Sequence, residues 1–288
     1  MTQISVATLN LRNRQNRWLQ RRELIVSELI DTRPDLVSLQ EIYRPIGQAR
    51  WLRNQINSRI SGSSSRPYRL IQKRRQHPFR GYFEGIGILS KLPVLSHDHL
   101  NLGYGGRPAV RINVELITRE TLDFVAVHLH PVAEDREARL EQVMQLCGWL
   151  NAEDSVPLQV IAGDFNEIPT GPAIEYMKQM YLSAFVETQG YDPIATFPTA
   201  LVSPSVNWSG CLDYIFLSKK INKVVEARLI FRKPSAHDPT LYPSDHVGLY
   251  SIIDIEPPNW EAIRPVSVQE GHSDQIEKAF KANDISNE

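Results

Sequence analysis

The chain has 288 residues, 42% hydrophobic and 23% charged, with a net charge of −1. This is ordinary globular composition, enough for a large core without disulfides, in two domains or in one large α/β domain. No apolar run approaches the ~18 residues of a membrane span, and MTQISVATLN lacks the basic and apolar regions of a signal peptide, so a cytoplasmic protein is expected.

In chain order, Ile4–Leu9 reads as a strand ending at Asn10. Trp18, Ile25 and Leu29 recur at helical spacing over 18–31, and Pro34 closes that helix. Leu36–Gln40 is a second strand, ending at Glu41. Leu52, Ile56 and Ile60 predict a second helix, and SGSSSRP at 61–67 a loop. Ile86–Leu89 is a strand. Ala109–Ile117 and Leu122–Leu129 predict a hairpin joined through TRE. Leu140, Val143, Met144 and Cys147 mark a helix, which makes Cys147 a packing residue. Cys147 and Cys211 form no zinc-type cluster. Leu158–Ala162 is a strand running into GDFN. Pro172 opens a helix carried by Ile174, Met177 and Tyr181. Leu212–Leu217 and Val247–Ile255 are the last strands. No repeat or linker divides the chain, so one α/β domain over 1–257 is expected, followed by a polar extension at 258–288. Residues 265–288 read as a peripheral helix or a mobile tail.

The polar residues fall in a pattern. Asn10, Glu41, His128, Asp164, Asn166, Asp213, Asp245 and His246 each lie at or beside the end of an apolar strand. A group placed there is held by a rigid element yet reaches solvent, which is where sites are built. Singly, each has a plainer reading as a turn former, a cap or an edge acid. Together, the carboxylate and amide oxygens are hard donors suited to Mg²⁺ or Mn²⁺, and histidines serve a phosphoryl centre as acid or base. Asp164 and Asn166 are two apart, so an extended backbone would point both the same way.

ATLN at 7–10, LQE at 39–41, GIGILSKLP at 85–93, VHLH at 127–130, GDFN at 163–166, LDYIF at 212–216 and SDHVGL at 244–249 stand in that order. Together they resemble the endonuclease/exonuclease/phosphatase superfamily, with the deoxyribonuclease-I-like fold, over residues 4–250. The resemblance implies a four-layer α/β sandwich, two packed and mainly antiparallel β-sheets flanked by helices. It also implies a hydrolase of phosphate esters. Glu41 would be the principal metal carboxylate, with Asn10 and Asp245 close to the Mg²⁺ or Mn²⁺ ion. Asp164 would activate the water and Asn166 bind the scissile phosphate. His246 would be the catalytic histidine, oriented by Asp213, and His128 a second histidine on the phosphate. His130, on the same strand face as His128, and Glu84 and Tyr82, ahead of GIGILS, are secondary candidates.

Two other readings compete. A zinc hydrolase could use the HLH pair with Asp135, but the companion ligands are missing. A binding module without activity would have lost one of the acids or the last histidine, and none is lost. The substrate is an anionic phosphoester, with DNA or RNA favoured over a phospholipid or a small phosphorylated metabolite of the kind sphingomyelinases or inositol phosphatases cleave. Residues 1–80 hold 16 Lys+Arg against 5 Asp+Glu, a difference of +11, and the remainder 16 against 28, a difference of −12. Arg66, Arg69, Lys73, Arg74, Arg75 and Arg80, interleaved with Tyr68, Phe79 and Tyr82, could track phosphates and stack bases, or form a solvated loop. Arg12, Arg14 and Arg17 follow Asn10 closely and would favour an anion near the metal.

Overall fold

The structure, a computed structural model, describes residues 3–62, 66–76, 83–152, 158–202, 206 and 208–255. Met1–Glu256 form one compact unit. The extension at 258–288, part of the 61–67 loop, and Phe79, Arg80 and Tyr82 lie outside the described residues.

Two six-stranded sheets carry the fold. One has the order β11-β12-β1-β2-β4-β3, from Lys223–Ile230 (β11), Gly248–Asp254 (β12), Gln3–Asn10 (β1), Leu36–Tyr43 (β2), Glu84–Ser90 (β4) and Arg69–Arg74 (β3). The other has the order β5-β6-β7-β8-β10-β9, from Val94–Asn101 (β5), Pro108–Glu115 (β6), Thr121–His128 (β7), Leu158–Asp164 (β8), Asp213–Ser218 (β10) and Tyr181–Ser183 (β9). The pairs β1–β2 and β7–β8 are parallel and the other strand pairs antiparallel. A parallel pair needs a crossover, and α1 (Trp18–Thr32) and α3 (Arg136–Leu150) provide the two. No helix among the described residues is long and apolar enough to cross a membrane.

Alternation along the strands gives each sheet two apolar faces. Val6, Ile88, Phe124 and Val160 face inward and form the core between the sheets. Leu9 and Leu39 face outward under α1 and α2 (Gln48–Ile60). Val125 and Ile161 do the same under α3 and α4 (Pro172–Met180). The result is four layers, helices outside and sheets inside. Burying each large aliphatic side chain contributes roughly 1.5–3 kcal/mol before entropy is charged.

Some local readings need correction. Tyr181 opens β9 instead of closing α4, and Met144 lies on the exposed side of α3. Within the basic stretch, Arg69–Arg74 pairs with β4 as an edge strand. β3, β5, β9, β11 and the short α5 (Ala184–Gln189) carry no signal read from the sequence.

Candidate active site

Both parallel pairs end at the same face of the sandwich. In the first sheet, Asn10 pairs with Gln40, so Asn10 and Glu41 emerge together. The β2–β4 register shifts between Leu39 and Ile42, and Glu41 sits in that irregularity at φ 51°. Such a break re-aims a side chain, here away from the ladder. In the second sheet His128 pairs with Asp164, and Asp164 with Asp213. The strands are unusually close there. A Cβ on Gly163 would lie 2.0 Å from the Val127 carbonyl oxygen, so the residue before Asp164 must be glycine. The segment entering β12 brings Asp245 and His246, and the Ser244 hydroxyl donates to the Asn10 carbonyl at 2.6 Å.

Asp164 is the meeting point. Asn10 Nδ2 donates to its Oδ2 at 2.9 Å, with His128 Nε2 at 3.6 Å and His246 Nε2 at 3.9 Å from the same oxygen. His246 Nδ1 lies 2.8 Å from Asp213 Oδ2. Asn10 Nδ2 is also 3.4 Å from Glu41 Oε1, and Arg12 Nη1 is 3.1 Å from Asp245 Oδ2. A cleft of about 480 Å³ is lined by Glu41, His128, Asp164, Asn166, Asp245 and His246. Asn10 and Asp213 stand behind it, holding Asp164 and His246. All eight strand-end residues therefore converge. Asn166 arrives by a different route from the one expected. Its φ is 51°, so strand alternation does not apply, and its amide donates to the Leu129 carbonyl at 3.0 Å.

A family model described as the endonuclease/exonuclease/phosphatase family matches residues 7–246. The chain belongs to this family. Comparison with curated proteins gives no match. Among solved structures, the chain is similar to an endonuclease/exonuclease/phosphatase from Bacteroides vulgatus at 20% identity, covering 89% of this chain and 100% of that one, TM-score 0.71. It is similar to D. rerio TDP2 complexed with a single-strand DNA product at 17% identity, covering 88% and 100%, TM-score 0.69. Truncated Caenorhabditis elegans TDP2 follows at 17% identity, covering 87% and 97%, TM-score 0.66. At such identities the likeness is one of fold.

The family's name describes phosphoester hydrolysis, and the electrostatics of this cleft suit it. Burial pushes the Glu41 carboxyl up to about 7, and the carboxylates of Glu84 and Asp245 push the same way. Oxygen donors forced together in this manner fit a hard divalent cation, which removes the repulsion. The candidate holders are Glu41, Asp245 and the Asn10 amide oxygen. Asp164, Asp213 and His246 also bring potential ligand atoms within 4.8 Å of one another, but the His246–Asp213 hydrogen bond already uses one nitrogen and one oxygen of that trio. Burial raises Asp164 to about 6, with His246 and the Asn10 hydrogen bond pulling the other way. Burial also opposes charge on His246, yet Asp213 and Asp164 outweigh it and lift the imidazole to about 10. Burial, then Arg107, holds His128 well below the usual imidazole range. The surroundings thus push the two histidines in opposite directions, His246 toward the charged form and His128 toward the neutral one.

The secondary candidates separate. β7 ends at His128, so alternation does not carry His130 into the cleft; it pairs with Asp135 at 3.2 Å and packs on Tyr104. That leaves the HLH pair divided, and His128, His130 and Asp135 form no common ligand cluster among the described residues. Glu84 does not line the cleft but pairs with Arg75 at 3.4 Å. Arg12 lines the cleft, Arg14 stacks on Tyr43, and Arg17 pairs with Asp238.

Four further groups escaped the sequence reading. Buried Arg107 reaches toward the His128 carbonyl at 3.5 Å. Buried Arg139 binds Glu167 at 3.0 Å and the backbone at 130–133, which fixes one wall. Phe197 packs 4.9 Å from the His246 ring, and Trp208 lines the mouth. The only sequence signal for Arg107 is its place just before a strand; Phe197 and Trp208 sit in irregular chain and give none.

Proposed function

We propose that this cleft hydrolyses phosphodiesters by in-line attack of water on phosphorus, with a nucleic-acid strand as the favoured substrate and Mg²⁺ or Mn²⁺ held by Glu41, Asp245 and Asn10. The observation that carries the reading is the convergence of Asn10, His128 and His246 on one oxygen of Asp164. A carboxylate lifted only to about 6 is ionised at neutral pH and still basic enough to accept a proton from water. Protonated His246, held by Asp213, donates to a phosphoryl oxygen as negative charge grows there. Neutral His128 and the Asn166 amide orient the phosphate. Charge neutralisation at the phosphate is what a bound divalent cation supplies. Arg12 and Arg136 at the cleft, with Trp208 exposed beside them, suit an anionic substrate with flat groups. The DNA product bound by the D. rerio structure of the same fold supports the same choice.

A compact phosphoester, such as a phospholipid headgroup or an inositol phosphate, is the second reading. The cleft volume of about 480 Å³ favours it, being that of a small-ligand pocket. The test is turnover of single- and double-stranded DNA, RNA, a p-nitrophenyl phosphodiester and monoester, sphingomyelin and inositol phosphates, each with Mg²⁺ and with Mn²⁺. Cleavage of nucleic acid together with the small diester supports the first reading. Cleavage of a headgroup or monoester alone replaces it with the second. No turnover on any substrate removes both.

A further inference from the structure

Arg21 is fully buried on the apolar stripe of α1, between Trp18 and Ile25. No carboxylate pairs with it among the described residues. Its guanidinium instead collects backbone carbonyls. Nη1 donates to Leu11 at 2.7 Å and to Pro243 at 3.0 Å. Nη2 donates to Asn13 at 2.8 Å and to Arg12 at 3.0 Å, and Nε to Asn16 at 3.1 Å and Gln15 at 3.2 Å. Five of these acceptors lie in one segment, 11–16, which leaves the end of β1 just after Asn10. The sixth, Pro243, opens the segment that carries Asp245 and His246.

The first segment follows an unusual backbone path. Arg12, Asn13, Asn16 and Arg17 have φ of 55°, 33°, 45° and 61°, a region side-chain-bearing residues seldom adopt. Such a backbone persists only where its surroundings over-determine it. Gln48 Nε2 donates to the Asn13 carbonyl at 2.6 Å and the Arg12 N–H to the Asn10 side-chain oxygen at 2.9 Å, but most of the contacts that hold this backbone come from one planar cation, whose five fixed N–H groups suit several carbonyls at once. A lysine ammonium in the same place has three donors and no fork.

We infer that Arg21 is a positioning residue for the cleft: its guanidinium locks the segment bearing Asn10 and Arg12 to the segment bearing Asp245 and His246. It touches no substrate and acts through backbone. The Arg12–Asp245 pair at 3.1 Å and the Ser244–Asn10 bond at 2.6 Å both lie across the junction it closes. The inference rests on the reading of this cleft as a phosphoester-cleaving site.

The experiment compares wild type with Arg21→Lys and Arg21→Gln, each well below its melting temperature. It reads kcat, KM and amide hydrogen exchange by mass spectrometry. Displacing cleft groups by about an ångström costs on the order of 10²-fold in kcat, and that loss is expected with little change in KM. Exchange should quicken over 11–16 and 241–246 and stay at the wild-type rate over α3 and β8. Millimolar guanidinium should restore part of the activity of Arg21→Gln, and KCl of equal ionic strength should not. If Arg21→Gln does not fold, Arg21→Lys, which keeps the charge and most of the stem, carries the test. Folded Arg21→Lys with wild-type kcat, or with exchange quickened throughout the protein, overturns the inference. If wild type cleaves no phosphoester, the functional reading has failed, and exchange alone decides: quickening confined to the two segments supports the lock, and unchanged exchange overturns it.

Discussion

Asn10 and Asp164 are 154 positions apart in the chain, yet the amide of one donates to the carboxylate of the other at 2.9 Å. The bond joins the end of β1 to the end of β8, and so one sheet to the other. Both groups are buried, so nothing from solvent replaces it. Asn10→Ala should lower stability by about 1.5–3 kcal/mol, the usual worth of a hydrogen bond to a charged group. Urea unfolding of the metal-free protein measures this; an unchanged midpoint would mean the link holds nothing.

His246 and Asp213 should act as a unit. His246→Ala is expected to cost roughly 10²–10⁴ in turnover, the range for a positioned acid or base. Adding Asp213→Ala should then cost little more, because coupled groups are not additive. Multiplicative losses in the double variant would show two separate roles.

The same pair sets a pH dependence. His246 is lifted to about 10 in the folded chain, from about 6.5 when unfolded. A raised value means the folded state holds the proton more tightly. Its stabilising contribution is therefore complete below about pH 6.5 and is lost as pH rises toward 10. Stability measured from pH 6 to 10 should fall across that window in wild type and fall less in Asp213→Asn. Proton NMR should show a charged His246 ring at pH 8, and a neutral ring there would refute the assignment.

Metal dependence follows from the crowding at Glu41. EDTA should abolish turnover, and Mg²⁺ or Mn²⁺ should restore it. Glu41→Ala should bind Mn²⁺ at least tenfold more weakly, roughly the 1.4 kcal/mol or more expected for losing one charged oxygen donor. Titration calorimetry checks this. Full activity in EDTA, or recovery with Zn²⁺ alone, would contradict the hard-cation reading.

The basic stretch gives a test of substrate class. Arg69 and Arg74, exposed on the edge strand β3, are the probes. If both meet phosphates, Arg69→Ala with Arg74→Ala should shallow the salt dependence of DNA binding by up to about two units. Hydrolysis of a small diester should stay unchanged. A slope identical to wild type would remove β3 from the substrate path.

The central strands were legible from the sequence because each has neighbours on both sides and packs on both faces. All four strands that carried no sequence signal are sheet edges: β3, β11, β5 and β9. An edge strand is half solvated, so RLIQKR and VLSHDHLN mix charges into both faces and blur the alternation. The eight cleft residues were legible because strand ends fix them. Asn166 and Glu41 took left-handed backbone that no spacing rule anticipates. Arg21 was visible in principle as a charge on an apolar helical stripe. Its acceptors were not, since they come from segments more than 200 positions apart.

The two sheets share one plan. Each has a central parallel pair bridged by a helix, flanked on either side by two antiparallel strands. The two sheets thus share one pattern of strand directions, and the cleft draws on strand ends from both. The chemistry does not repeat. One half contributes Asn10, Glu41 and Asp245, the other His128, Asp164, Asn166 and Asp213, and His246 crosses from the first half to bond the second. On the proposed reading the site needs groups from both halves, so their relative placement bears on the rate. Substitutions at Ile88 or Phe124, deep in the inter-sheet core and remote in sequence from every cleft motif, should be read for their effect on rate as well as on folding.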